Sequence, residues 1–137
     1  MTHRLPDPSG DMLPSILLVE DELEQRAMLA GMLESEGYRV AGVASAEEAL
    51  DRLKEAKPDM IVTDVKLPGM DGFTLYEKIL QQPASRQIPF LFITGYTDQR
   101  AIEAVKTLGA VAYITKPYDL EDLLHQVKEV LPPGPLP

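Results

Sequence analysis

The chain has 137 residues, 45% of them apolar, which suits a single domain with a sizeable core. Its net charge of −9 and pI of about 4.6 disfavour nucleic acid, whose binders carry a basic footprint, and leave cations and basic protein surfaces as partners. Cysteine is absent, which excludes disulfides and thiolate metal sites. No apolar run approaches the roughly 20 residues of a membrane span, so a cytoplasmic protein without membrane contact is expected.

Residues 1–14 are rich in Pro, Gly, Asp and Ser and lack periodicity, which predicts a disordered tail. Ser15 to Val19 is an apolar run of the length of a buried strand, stopped by Glu20-Asp21-Glu22. From Leu23 to Glu36, Met28 pairs with Met32 and Leu29 with Leu33 at helical spacing, and Gly37 is a C-terminal stop. Tyr38 to Ala44 reads as a second strand. Ser45 with Glu48 three residues on forms a capping box for a helix whose apolar face is Ala46, Ala49, Leu50 and Leu53. Pro58-Asp59 ends it.

Met60-Ile61-Val62 is the third strand, with Asp64 at its end. The loop Leu67-Pro68-Gly69-Met70-Asp71-Gly72 neither continues a strand nor starts a helix cleanly, because Pro68 lacks an N–H and Gly69 and Gly72 permit positive φ. Phe73, Tyr76, Ile79 and Leu80 then mark one face of a third helix. Phe90 to Ile93 is a fourth strand ending at Thr94-Gly95, and Ala101, Ile102, Val105 and Leu108 mark a fourth helix closed by Gly109. Val111 to Ile114 is a fifth strand ending at Thr115-Lys116-Pro117. Asp119 is the cap of a last helix striped by Leu120, Leu123, Leu124, Val127, Val130 and Leu131, before a proline-rich segment, 132–137.

Strand and helix alternate five times between residues 15 and 131. Continuous apolar strands imply burial on both faces, hence a parallel sheet with helices on both sides. The flavodoxin-like order 2-1-3-4-5 is expected, with ligands at the carboxyl ends of the strands.

Those ends carry the chemistry. The first strand delivers Glu20 and Asp21, the third Asp64, the fourth Thr94 and the fifth Lys116. Taken singly, each is ordinary: the two acids suit the positive end of a helix, Thr94 a strand and Lys116 a solvated surface. Together they place three carboxylates, a hydroxyl and an ammonium in one crevice. Three like charges need a cation among them, and an all-oxygen set without His or Cys is of the Mg²⁺ type. One carboxylate can then attack a phosphoryl group, with Lys116 sharing the charge and Thr94 donating a hydrogen bond. His3 and His125 have no partners at metal-ligand spacing and read as surface residues.

The motifs ILLVEDE, DVKLPGMDG, FITG and AYITKP, in that order and at those strand ends, resemble the receiver domain of bacterial response regulators over Ile16 to Leu131. The resemblance implies a two-component signalling switch in which Asp64 takes a phosphoryl group from a phosphohistidine on a sensor histidine kinase or a histidine phosphotransfer protein. It implies Asp21 as a direct Mg²⁺ ligand, Glu20 supporting the metal through water, and the backbone carbonyl of Lys66 as a further ligand. Thr94 is then the switch hydroxyl, Lys116 the partner of the phosphate, Pro117 a cis proline and Tyr113 the aromatic that turns inward with Thr94. The face of the fourth helix, fifth strand and fifth helix would change on phosphorylation to regulate a protein partner. Family members often pair through that face, so a homodimer is admitted.

Glu20 replaces the commoner Asp, a variant within the family pattern. Gly95 is small, as phosphoryl access requires, while Lys66 and Tyr96 occupy positions that tune dephosphorylation. The resemblance implies a phosphoacceptor that assists its own modification without turning over a separate substrate. A stand-alone receiver and a fragment of a larger regulator or hybrid histidine kinase are both admitted. An aspartyl-phosphate phosphatase would place an Asp-x-Asp pair after its first strand, which this chain lacks. A docking module that is never phosphorylated would not need the full set of acids, hydroxyl and lysine.

Overall fold

Short apolar runs pair here into one parallel sheet. In the computed structural model, which describes residues 13–85, 87–95, 99–108 and 112–134, the strands are β1 (Ser15–Val19), β2 (Arg39–Val43), β3 (Met60–Asp64), β4 (Phe90–Gly95) and β5 (Ala112–Lys116). Their order is β2-β1-β3-β4-β5, as expected. The helices between them are α1 (Leu23–Ser35), α2 (Ala46–Glu55), α3 (Gly72–Leu80), α4 (Gln99–Leu108) and α5 (Leu120–Val130).

The period of two divides each strand between two cores. Leu17, Val19, Ile61, Phe90 and Phe92 face α2 and α3, where Ala46, Ala49, Leu53, Leu75, Tyr76 and Ile79 complete one cluster. Ile16, Leu18, Met60, Val62, Leu91 and Ile93 face the other way and meet Leu29 and Leu33 of α1 and Leu123 and Val127 of α5. Tyr76 packs edge-on against Phe90 and Phe92, with ring centroids 4.9 and 5.7 Å away. The three central strands need both faces covered, which is why their sequences do not alternate.

The caps are partly as expected. Ser45 Oγ accepts from the Glu48 N–H at 3.1 Å, an arrangement that contributes roughly 1 kcal/mol. Asp119 occupies the cap position of α5 but makes no side-chain capping bond. Asp71, not anticipated, caps α3 by accepting from the Thr74 N–H at 2.8 Å. The helix thus starts at Gly72, the last residue of the loop read as unable to start one cleanly. Gly37 has φ of 102° and turns the chain out of α1.

Several helix faces differ from the sequence reading. Met28 is exposed while Leu29 and Leu33 point to the core; Leu80 and Val130 are exposed too. Leu75, absent from the expected face of α3, is fully buried. In each case the periodic pattern admitted a neighbouring stripe, and the direction of the sheet selected one. The strand bounds also shift: β2 is shorter than Tyr38–Ala44 at both ends, and β3, β4 and β5 extend through Asp64, Gly95 and Lys116 because pairing continues to Asp64–Ile93, Thr94–Thr115 and Gly95–Lys116.

Leu13 and Pro14, read as part of the tail, are tied to β2: the Arg39 N–H donates to the Pro14 carbonyl at 2.9 Å and Arg39 Nε to that of Leu13 at 3.3 Å. At the other terminus, Tyr38 Oη donates to the Leu131 carbonyl and the Gly134 N–H to that of Gly37 at 3.1 Å. The expectations for residues 1–12 (His3 among them), Tyr96, Gly109, Val111 and 135–137 lie outside the described residues, as do the side chains of Ala101, Val105 and Leu108. No helix among the described residues is long and apolar enough to cross a membrane.

Candidate functional site

A parallel sheet brings its carboxyl ends to one rim, and four of the five strands deliver a polar side chain there. The residue after β1, Glu20, is buried, while Asp21 beside it is exposed. The last residue of β3, Asp64, is buried, as is Thr94 on β4. Lys116 closes β5, and the Lys116–Pro117 bond after it is cis.

The carboxylates converge. One oxygen from each of Glu20, Asp21 and Asp64 lies within 4.8 Å of the other two. Lys116 Nζ stands 3.3 Å from Asp64 Oδ1 as an ion pair. Beyond that ion pair, Asp64 Oδ1 and Thr94 Oγ1 are the two buried side-chain atoms without a hydrogen bond among the described residues. Buried polar atoms are normally satisfied, and leaving one unmade costs about 1–3 kcal/mol. Both orphans border a cavity of about 180 Å³ lined by Asp64, Val65, Lys66, Ile93, Thr94, Gly95 and Lys116.

The electrostatics follow from crowding. Burial, then a hydrogen bond to Asp64 and its repulsion, push the Glu20 carboxyl up to about 8, against the pull of the Glu22 N–H and Lys116. Burial opposes the charge on Lys116, but Asp64 and Glu20 outweigh it and raise its pKa. Tyr118 is also raised, chiefly by burial; it accepts from Gln25 Nε2 at 3.3 Å. Carboxylates gathered this closely around Asp64 make a site suited to a further compensating cation. The all-oxygen donor set fits a hard divalent ion such as Mg²⁺ rather than Zn²⁺.

The rim is held from below. The Val65 N–H donates to the Ile93 carbonyl at 2.9 Å, and the Gly72 N–H to that of Val65 at 2.8 Å. Of the two glycines that permit positive φ in this loop, Gly69 adopts it, at 76°, and Gly72 does not. The requirement at Gly72 is closeness, because a Cβ there would collide with the Asp64 carbonyl oxygen and sit 3.1 Å from Val65 Cα. No sequence signal separates these two uses of glycine. At Gly95 a Cβ would meet nothing within 4 Å among the described residues.

Other expected residues take the following places. The Lys66 side chain is exposed at the cavity lip. Tyr113, half-buried, pairs with Phe92 and packs against the core cluster that faces α2 and α3. His125 is exposed, pairs with Glu129 Oε1 at 2.9 Å one turn along α5, and is not among the clustered acids. Two contributors escaped the sequence reading. Arg26 donates from Nη1 to the Glu20 carbonyl at 2.8 Å, and Glu47 Oε2 accepts from the Met70 N–H at 3.4 Å in the loop after Asp64. Both lie on helical faces that look solvated in the sequence, so no pattern marked them.

Comparison with known proteins converges on one family. The model of the response regulator receiver domain matches residues 16–128. Sporulation initiation phosphotransferase F of Bacillus subtilis is 31% identical over 121 residues, which cover 88% of this chain and 96% of that protein. The signal receiver domain of a signal transduction histidine kinase from Syntrophus aciditrophicus superposes with a TM-score of 0.80 at 36% identity, covering 86% of this chain and 89% of that one. The receiver domain of a sensor histidine kinase from Pseudomonas aeruginosa, with a magnesium ion coordinated in its active-site cleft, gives a TM-score of 0.76 at 30% identity, covering 85% of this chain and 95% of that one. Against several curated transcriptional regulators the chain spans only 53% to 62% of their length.

Proposed function

The chain belongs to the response regulator receiver domain family of two-component systems, and we propose that Asp64 is its phosphoacceptor. The donor is a phosphohistidine on a sensor histidine kinase or histidine phosphotransfer protein. The observation that carries this reading is the buried Asp64 carboxylate, ion-paired with Lys116, at one cavity with a Thr94 hydroxyl that makes no hydrogen bond among the described residues.

The transfer balances simply. An oxygen of the Asp64 carboxylate forms a bond to phosphorus as the bond from phosphorus to the donor nitrogen breaks, and the donor imidazole leaves with a proton. Lys116 offsets charge on the phosphoryl oxygens, and the Thr94 hydroxyl donates to one of them. Mg²⁺, when bound, would supply positive charge that draws the phosphoryl oxygens and the carboxylates together. Asp21 would hold it directly, Asp64 and the Lys66 carbonyl would complete the protein ligands, and Glu20 would act through water. No turnover of a separate substrate is part of this reading.

The consequence is a two-state switch. Thr94, whose hydroxyl has no hydrogen bond among the described residues, gains a partner in the phosphorylated state, and this differential interaction is what can shift the populations. Tyr113 would follow, and the α4–β5–α5 face would change toward a protein partner or a second copy of the chain. One observation favours a relay role: a relative matched over 96% of its length is named a phosphotransferase. The same domain inside a longer regulator or hybrid kinase would instead drive a neighbouring domain, and the length of the encoding reading frame separates the two.

The test is intact-mass measurement after incubation with Mg²⁺ and acetyl phosphate. The wild type gains one phosphoryl group, and Asp64→Asn gains none. A gain that persists in Asp64→Asn overturns the assignment.

A further inference from the structure

Arg26 stands out because it carries a positive charge to the edge of a site suited to a cation. Its Nη1 donates to the backbone carbonyl of Glu20 at 2.8 Å, not to a carboxylate. To get there the side chain leaves α1 and passes over β2 at Gly42. A Cβ on Gly42 would stand 3.1 Å from Arg26 Cγ and 3.2 Å from Cδ, closer than ordinary packing allows. Gly42 is therefore a slot for the arginine stem on an edge strand, where glycine is otherwise a poor choice.

The acidic turn is gripped from both sides. The Glu20 N–H donates to the Val43 carbonyl of β2 at 3.0 Å, while its own carbonyl accepts from Arg26. The Arg26 N–H in turn donates to the Glu22 carbonyl at 2.9 Å, closing the first turn of α1 over the same segment. Glu22, at the cap position, makes no side-chain capping bond. The turn that carries Glu20 and Asp21 is thus held by main-chain contacts, by the Glu22 N–H donating to Glu20 Oε2 at 3.3 Å, and by the Arg26 side chain on the Glu20 carbonyl.

We propose that Arg26 is a positioning residue for the divalent-cation site. It fixes the peptide between Glu20 and Asp21 so that both carboxylates face Asp64, and Gly42 gives its stem passage. The inference rests on the reading of this rim as an Mg²⁺ site. Its sign is informative, because an arginine that acted through charge alone would repel the ion, and its removal would tighten binding.

The experiment is calorimetric titration of the metal-free chain with Mg²⁺, with thermal midpoints measured alongside. Arg26→Met keeps the stem and loses the donor; its dissociation constant is expected to rise about tenfold, as for other groups that orient metal ligands. Arg26→Lys, which retains one reaching donor, recovers part of that loss. Gly42→Val suits a strand better than glycine but blocks the slot, so it weakens Mg²⁺ binding while holding or raising the midpoint. An unchanged or tighter constant in Arg26→Met overturns the inference, as does a loss that only tracks the midpoint across the three variants. A wild-type chain that binds no Mg²⁺ overturns the metal reading itself and this inference with it.

Discussion

Lys116 Nζ lies 3.3 Å from Asp64 Oδ1 although β4 separates the strands that carry them. The lysine reaches across Gly95, its partner in the β4–β5 register. The strand between them offers no side chain at that level, so the two charges meet over the cavity. The ammonium is half exposed and the carboxylate buried, so the pair holds one charge in place while leaving the other free to move.

Replacing Lys116 with Met removes that charge without shortening the stem. Phosphorylation by acetyl phosphate at saturating Mg²⁺ is expected to slow by roughly 10²-fold, in the range seen when one stabilising donor is lost from a reacting centre. Time-resolved intact mass measures it. The fold should persist, because the lysine head contributes nothing to either core.

Thr94→Val is a near-isosteric exchange that deletes an unbonded hydroxyl. The resting protein should become more stable by about 1 kcal/mol, since a buried orphan is removed along with its desolvation cost. Urea denaturation reads this directly. The same variant should still accept a phosphoryl group at Asp64 but lose the accompanying change at Tyr113, visible as unaltered tyrosine fluorescence. A destabilised Thr94→Val protein would mean that the hydroxyl has a resting-state partner.

The pH dependence comes from Glu20, whose carboxyl sits at about 8 against an ordinary 4.5. The folded state therefore binds this proton more tightly than the unfolded state. Its stabilising contribution is full below pH about 4.5 and fades as pH rises through about 8. In a chelator, the thermal midpoint should fall over that interval, and Glu20→Gln should flatten the slope. Mg²⁺ should stabilise the wild type more at pH 8 than at pH 5.5.

Gly72→Ala tests the close approach beneath Asp64. The added methyl meets the Asp64 carbonyl, which is backbone and has little room to give. Destabilisation of about 1–3 kcal/mol is expected, with a parallel loss of phosphorylation as Asp64 is displaced. Gly95→Ala is the comparison for stability alone: among the described residues its methyl meets nothing within 4 Å, and stability should stay within about 0.5 kcal/mol. Denaturation midpoints on both variants, with the phosphorylation rate of Gly72→Ala, check the contrast.

The architecture was legible from local pattern because helix and strand periods survive without knowledge of neighbours. Five apolar runs, the Ser45 cap and the Gly37 stop all stand where the residues suggested. The rim residues were legible for a related reason: a residue just past a buried parallel strand has only one edge to go to. Where local pattern was ambiguous it misled. Met28 and Leu29 are adjacent apolar residues on one helix, and only the second faces the sheet. Gly69 and Gly72 are the same residue type three apart, one used for its φ and the other for its lack of a Cβ.

The order of residues along the chain determined which groups could gather: acids from β1 and β3, a hydroxyl from β4, an ammonium from β5. Only the tertiary structure decided how tightly they meet, which oxygens go unbonded, and that Arg26 and Gly42 hold the acidic turn from behind. The physical reason is range. Periodicity and capping are set by neighbours within a few residues, whereas a raised carboxyl at Glu20 or an orphaned oxygen at Thr94 depends on distances between atoms that the sequence places tens of residues apart.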